Sequence, residues 1–514
     1  MTAKRRGGRS RSRAESETAL PPRPHNYRQL RHPFQPQNVF SEDGILRIHV
    51  MALKVLRELG IKILLPEARQ LFKRAGGLVD DDTLMVRLGD DLVVQALQTA
   101  PRSYRLRSRS GIRDQLFEDG GMLFAPGAGC PNVTDLERGR RAGSLESYEE
   151  TIKLQQAFDV IHVFGPSAEP QNVPAHLRHY DMMRAQMEFG DKPMFMYARG
   201  HKQVEQSFDL IRLGCALDDD QFDEDVWCFT VINTNSPRQI DIPMAEGIID
   251  FARANQLSII TPFCLAGAMA PITVAGALVL QHAECLAAIT LSQLARPGAP
   301  VAYGGFSSNV DMKSGSPAFG TPEHIKLSIG SGQLARHIGL PWRSATGSAS
   351  NTADMQAATE TNMALWAQLQ ANATLTVHAA GWLEGGLTFG YEKFINDIEA
   401  LQTVAELCLD TPEDDDSLGW SALCEVEPGG HFFATQHTMD RYRDAFYEPL
   451  VADLTNHGAW LDAGGKSSAE RATGIWKQTL AEFKAPKDSD EVLERIAGRI
   501  ERYKKSGGAA PSGG

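Results

Sequence analysis

The chain has 514 residues, 42% hydrophobic and 23% charged. These are ordinary globular values and exclude wholesale disorder or a collagen-like polymer. The net charge of −12 is unevenly spread: residues 1–31 carry nine Lys/Arg against two Glu, so the remainder carries −19. A body that acidic argues against nucleic acid as a partner, and the basic head KRRGGRSRSR (4–13) reads as a solvated tail.

Seven cysteines without a CxxC pair offer neither a disulfide framework nor a cysteine-rich zinc site. No metal site is expected, and a reducing cytoplasm is the natural setting. No apolar segment follows the Arg-rich head, so it is not a secretory signal. The longest weakly polar run, 265–280, is sixteen residues interrupted by Pro271. That is too short for a bilayer span, so no membrane is expected; it reads as strand end, loop and buried helix.

Along the chain, 1–40 is an Arg-, Ser- and Pro-rich tail. Residues 42–59 read as a helix, with Ile45, Ile48, Leu53, Leu56 and Leu59 at near-helical spacing. Helical pieces follow at 66–75 and 90–100, then short strands at 104–109, 115–118 and 122–125. Ser147 and Glu150 suggest a capping box for a helix running to Phe158.

A rhythm then sets in. β-rich runs occur at 160–164, 193–197, 226–232, 257–263, 300–306, 343–347 and 373–379, their starts 30 to 43 residues apart. Helical patterns fill the gaps at 177–189, 204–213, 244–254, 274–294, 323–337 and 355–370. Thr321-Pro322-Glu323 is a good helix start. The alternation implies βαβ units and an α/β fold, a (β/α)8 TIM barrel with an N-terminal α+β extension and C-terminal helices. The eighth strand is either near 422–426 or an earlier strand. A Rossmann-type sheet is the alternative, but no GxGxxG follows any strand. The expected division is tail 1–40, extension 41–150, barrel 151–430, helical extension 431–503 (with helices at 438–450 and 468–483) and flexible end 504–514.

Barrel active sites lie at the C-terminal ends of the strands. Here those ends carry Tyr303-Gly304-Gly305-Phe306, then Trp342-Arg343 with the small-residue run 344–352, then His378 followed by Trp382, Glu384, Phe389 and Tyr391. Small residues leave a wide mouth. Aromatic faces hold a quaternary ammonium by cation–π attraction of about 0.5–2 kcal/mol per contact. Tight turns and core aromatics would give the same composition. His378 is a catalytic candidate and also reads as a structural histidine. Glu384 could pair with a cation or with His378, or be a surface acid. His282 and Glu284, two apart on a helix, and His431 and His437, six apart, do not have metal-ligand spacing. There is no HExxH, P-loop or GxSxG.

The segments PGAPVAYGGFSSNVDMKSGSPAFGTPEH (297–324), GLPWRSATGSASNTADMQAATE (339–360), HAAGWLEGGLTFGYEKFINDIE (378–399) and EPGGHFFATQHT (427–438) together resemble the trimethylamine methyltransferase family. The resemblance runs from about Leu46 to Phe483. It implies a TIM barrel that presents a methylamine to the cobalamin (corrinoid) of a separate corrinoid protein. It also implies no tightly bound cofactor and a homo-oligomer. The trimethylamine enzymes carry pyrrolysine just before an Asp-x-Gln-Ala stretch. Here that stretch is Asp354-Met355-Gln356-Ala357, and Thr352 stands two before it. Without pyrrolysine the chain resembles the members acting on glycine betaine and related quaternary amines. A quaternary amine leaves neutral without acid help, whereas trimethylamine needs prior activation.

On this resemblance His378 orients the substrate or its carboxylate, and Arg343 could also hold the carboxylate, unless strand alternation aims it away. Tyr303, Phe306, Trp342, Phe389 and Tyr391 surround the ammonium, with Phe306 and Tyr391 foremost. Gln356 and Glu384 shape the mouth, Glu384 beside His378 in the catalytic pair. Gly304, Gly305, Gly347, Thr352 and His431 face the corrinoid, although Ala434-Thr435-Gln436 after His431 departs from the family pattern. Three other readings compete: trimethylamine itself as substrate, a non-catalytic betaine-binding or corrinoid-protein-docking barrel, and a lyase or aldolase. The last would need lysines or metal ligands at strand ends, where only the loop residue Lys313 is present.

Overall fold

A computed structural model describes residues 26–512. Its centre is a curled eight-stranded sheet of β1 (Leu30–Arg31), β2 (Gly121–Phe124), β3 (Met194–Phe195), β4 (Cys228–Ile232), β5 (Leu257–Ile260), β6 (Val301–Gly304), β7 (Trp342–Ala345) and β8 (Leu375–Val377). The order is β1-β2-β8-β7-β6-β5-β4-β3. All neighbours are parallel except β1, which pairs antiparallel with the start of β2. The strand left open by the sequence is therefore β2, from within the segment expected as an extension. Residues 422–426 instead fall on the short helix Trp420–Glu425. Residues 160–164 form no regular strand, but His162 N donates to Phe124 O (2.9 Å) and Phe164 N to Pro193 O (3.1 Å). That run thus bridges β2 and the residue before β3.

The helices between strands are those the periodicity implied, including Arg178–Phe189, His201–Cys215, Ile242–Arg253, Val274–Ala295, Pro322–Ile338 and Met355–Ala371. Thr321 caps its helix by accepting from His324 N, with Pro322 in the first turn. The helix before 160–164 starts earlier than expected. Ser144 is its N-cap, and Ser147, not Glu150, completes the capping box. The helix over 438–450 is also shorter, at Gln436–Arg441. Residues 506–512 lie on the body: Ala509 N donates to His176 O (3.0 Å) and Ser512 N to Arg199 O (3.1 Å). All seven cysteines are free. Among the described residues, Val274–Ala295 is the one helix long and apolar enough to cross a bilayer, and 78% of its most apolar window is buried inside the protein.

Register sorts the strand side chains into two sets. Leu123 pairs with Leu375, Leu375 with Arg343, and Arg343 with Gly304; Ala302 pairs with Ile259 and Phe229 with Phe195. Their neighbours Leu123, Phe195, Phe229, Ile259, Ala302 and Leu375 form the inner core of the ring, so Arg343 is on the inner face. Tyr303 and its partner Trp342 point the other way, into the layer between sheet and helices. The hairpin Ser103–Leu106/Gln115–Glu118 contributes Leu106 and Phe117 to the inner core and so plugs the end where the strands begin.

Gly304 fits because its neighbours leave no room for a side chain. A Cβ there would lie 2.3 Å from both Ile260 O and Thr261 Oγ1. Gly304→Ala is expected to lower stability by about 1–3 kcal/mol through overpacking, read as a drop in melting temperature; an unchanged melt would contradict this packing.

Candidate active site

A cavity of about 700 Å³ opens at the C-terminal ends of the strands. Residues within or just after β2 to β8 reach it, Ala125 and Ala128, Tyr197, Asn233 to Ser236, Phe263, Phe306, Arg343 and His378, together with Phe164 from the irregular run 160–164. Its wall is aromatic, with Phe164, Phe195, Tyr197, Phe229, Phe263, Phe306 and Trp382. Phe263 stacks on Phe306 at 5.1 Å between centroids, and Phe195 meets Tyr197 and Phe229 edge-on at 5.0 and 5.5 Å. The charged lining is Arg199 and Arg343, with His378 as the titratable neighbour; among the described residues no Asp or Glu lines it.

Arg343 is 2% exposed, and its Nε and Nη1 have no partner. Its guanidinium lies over the Phe306 ring at 5.2 Å. Burial pulls it down to about 9, which leaves it charged at neutral pH. Its Nη2 approaches His378 Nε2 at 3.4 Å. His378 Nδ1 accepts from Ala128 N at 3.2 Å. A neutral imidazole has one donor and one acceptor nitrogen, so its proton is on Nε2. Two donors, Nη2 and Nε2, therefore face each other without an acceptor between them.

His378 is held firmly. Its φ is +58°, which costs a non-glycine residue roughly 1–2 kcal/mol. Thr346 Oγ1 donates to its carbonyl at 2.6 Å, and its ring stacks on Trp382 at 4.6 Å. The turn that follows is braced from behind. Asp397 accepts from Gly381 N at 2.8 Å and is paired with Lys393. Gly381 has φ +84°, and a Cβ there would meet the Phe389 ring at 2.4 Å. A second buried carboxylate, Glu284, braces the opposite wall by accepting from Thr234 Oγ1, Ser236 Oγ (2.7 Å) and Arg238 N (2.7 Å). Burial raises its pKa.

The site expected from sequence divides. Phe306, Arg343 and His378 meet in the cavity, and Arg343 does so because register turns it inward rather than away. Four of the aromatics lie elsewhere. Tyr303 is buried under the Val274–Ala295 helix, its hydroxyl near Gln281 (3.2 Å) and His282 (3.3 Å). Trp342 donates to Asn372 O at 2.8 Å on the outer side. Phe389 packs on Phe394 at 5.6 Å, and Tyr391 donates to Glu150 and packs on Trp476 at 5.1 Å. Gln356 is exposed and donates to Glu360 at 2.8 Å. Glu384 binds Arg140 at 2.9 Å rather than His378; burial alone would raise its pKa, and that pair holds it below the usual range. Gly304 and Gly305 are crowded, the latter by Ser331 and Gln281 within 3 Å of a Cβ. Gly347 backs onto the Trp382 ring, Thr352 is exposed and donates to Asp354 at 3.0 Å, and His431 is exposed far along the chain.

Phe164, Phe195, Tyr197, Arg199, Phe229, Phe263 and Trp382 were not among the sequence candidates. Phe164, Tyr197 and Phe263 end predicted β-rich runs, so the strand-end rule applied to every run would have found them.

His378 sits well below the usual imidazole range, because of burial first and the Arg343 charge second. The unfolded state then binds the extra proton, so its contribution to stability is present above about pH 6.5 and is lost as pH falls below it. His378→Gln should reduce the acid-side slope of stability against pH by up to one proton; an identical slope between pH 5 and 7 would mean that this histidine takes up its proton in the folded state as readily as in the unfolded one.

A sequence model of the family described as trimethylamine methyltransferase (MTTB) matches residues 4–508. The chain is 32% identical over 473 residues to a glycine betaine methyltransferase of Desulfitobacterium hafniense (strain Y51), covering 92% of this chain and 98% of the relative. It is 27% identical over 499 residues to the trimethylamine methyltransferase MttB1 of Methanosarcina mazei, covering 91% and 96%. The solved Methanosarcina barkeri monomethylamine methyltransferase aligns over 90% of this chain and 94% of its own, at 9% identity and a TM-score of 0.44.

Proposed function

Because this chain belongs to the trimethylamine methyltransferase family, we propose that it moves a methyl group from a carboxylate-bearing quaternary amine, glycine betaine or a relative, to the Co(I) corrinoid of a separate protein. The observation that carries the substrate class is the unpartnered guanidinium of Arg343 beside the Nε2 proton of His378. Two convergent donors suit one carboxylate, and hydrogen bonds to charged groups contribute about 1.5–3 kcal/mol. The rings of Phe195, Phe229, Phe263 and Phe306 suit the methylated head. A plain methylammonium would find the unpaired Arg343 and no carboxylate in the lining, Arg199 being paired with Glu169 beside it. Trimethylamine as substrate fits this charge pattern poorly, and Thr352 supplies no group to activate it.

The open mouth at the strand ends fits a visiting macrocycle, and the reduced corrinoid supplies the nucleophile for the methyl carbon. The residues of this chain do the rest. Arg343 and His378 anchor the carboxylate, the rings exclude water and stabilise the cation, and the fixed anchor sets where the methyl groups lie. No general acid is required, since the amine departs neutral. The same reading takes the curled sheet as a (β/α)8 barrel with 160–164 in the remaining strand position, supported by its hydrogen bonds on both sides.

The test is methyl transfer from glycine betaine to a reduced corrinoid protein, with thermal shifts for glycine betaine and tetramethylammonium run beside it. Betaine should raise the melting temperature and tetramethylammonium should not. Arg343→Gln should lower kcat/KM for glycine betaine about 10- to 100-fold. Equal shifts by the two ligands, or unchanged turnover in Arg343→Gln, would remove Arg343 as the anchor. Absence of cobalt methylation by the wild-type chain with any quaternary amine would favour the binding-protein reading.

A further inference from the structure

We propose that the cavity grips its ligand at two opposite ends, and that Tyr197 and Asn233 form the second end, where they take a hydroxyl on the far side of the ammonium from the carboxylate. This rests on the carboxylate anchor at Arg343 and His378 proposed above. Size is the first reason. A cavity of about 700 Å³ lies within the roughly 300–1,000 Å³ of pockets that enclose drug-sized ligands. Glycine betaine is far smaller than those, and anchored on one wall it leaves the opposite wall untouched.

Strand order identifies that wall. Arg343 is on β7, and Tyr197 follows β3, four strands along the sheet. His378 follows β8, and Asn233 follows β4, again four strands apart. Counted the other way, through β8, β2 and the bridging run 160–164, Tyr197 is also four positions from Arg343. In a sheet curled on itself with eight such positions, four apart is opposite. On the way round, one side passes Phe263 and Phe306 and the other Phe164. Those rings suit the cation, so the order across the cavity is carboxylate, ammonium, hydroxyl.

The two polar groups at the second end are unpaired. The Tyr197 hydroxyl is buried without a hydrogen-bond partner. Glu169, whose charge reaches it, is held by Arg199 (2.5 Å) and Arg178 (3.3 Å). The ring itself is fixed, with the Arg199 guanidinium over one face at 3.9 Å and Phe195 edge-on at 5.0 Å. Asn233 lines the cavity, is exposed, and its amide bonds to no described residue. A phenol and a carboxamide both donate and accept, as does a hydroxyl. A buried hydroxyl left unpaired weakens the site until a ligand pairs with it.

The test is a matched pair of ligands, N-(2-hydroxyethyl)-N,N-dimethylglycine and its N-propyl counterpart, which differ by one hydroxyl in place of one methyl group. Titration calorimetry with the full chain should give about 3- to 10-fold tighter binding of the hydroxyethyl compound. Tyr197→Phe keeps the ring and should bring the two affinities together, and Asn233→Ala should narrow the gap. Arg343→Gln should weaken both ligands and leave their ratio as it was. Equal affinities in the wild-type chain, or an undiminished ratio in Tyr197→Phe or, should that variant not fold, in Asn233→Ala, would overturn the second contact. So would binding of glycine betaine with neither member of the pair, which leaves the carboxylate anchor standing. If none of the three ligands binds, the anchor fails and this inference with it.

Discussion

The site depends on a positive charge kept out of water without a counter-ion. Taking a guanidinium into the protein costs several kcal/mol even after relaxation, and Arg343 has recovered only part of that, from the face of Phe306. Such a charge is unstable against any acceptor that can enter. A bound carboxylate would remove the deficit and stabilise the folded chain at once. The neighbouring imidazole adds to the same deficit instead of relieving it, because Ala128 N already occupies its one acceptor nitrogen. Selectivity then comes from what the protein omits: an acidic residue in the lining would cancel the charge and the need for an anionic ligand.

Two carboxylates stand just behind the cavity and act on its shape. Asp397 fixes the Gly381 amide and with it the turn between His378 and Trp382. Glu284 fixes the loop from Thr234 to Arg238 on the opposite wall. Both are buried and fully engaged, so neither brings negative charge to the ligand space.

The strand–helix rhythm was legible because each unit repeats at a regular spacing with a capped helix, as at Thr321-Pro322. The strand Gly121–Phe124 was harder to place, since it lies far before the repeating units and joins the ring by tertiary pairing with β1 and β8. The site was legible where residue type and position coincided, at Phe306, Arg343 and His378. It misled at Tyr303 and Trp342, where an aromatic on a barrel strand suggests a lining residue and a one-residue difference in parity sends it to the helix layer. Sequence spacing gives the alternation but not its phase. The phase is set by register with Leu375 and Leu123, and that becomes visible only when the strands are paired. Tyr391 misled for another reason: it follows the last strand in sequence but starts the helix Tyr391–Leu407, which carries it toward Trp476.

The placement of the charge also bears on release. On the function proposed above, a betaine would enter with both ends satisfied, its carboxylate by Arg343 and His378 and its cation by the rings. Loss of one methyl group would turn the head into a tertiary amine that departs neutral, and the cation–π contribution of about 0.5–2 kcal/mol per contact would be absent until solvent protonates that amine. The proposed carboxylate anchor is unchanged by the reaction, so it would hold substrate and product alike. The rings distinguish them. A site built this way binds through the group that does not react and discriminates through the group that does, and it weakens its hold on the product without moving any part of the protein.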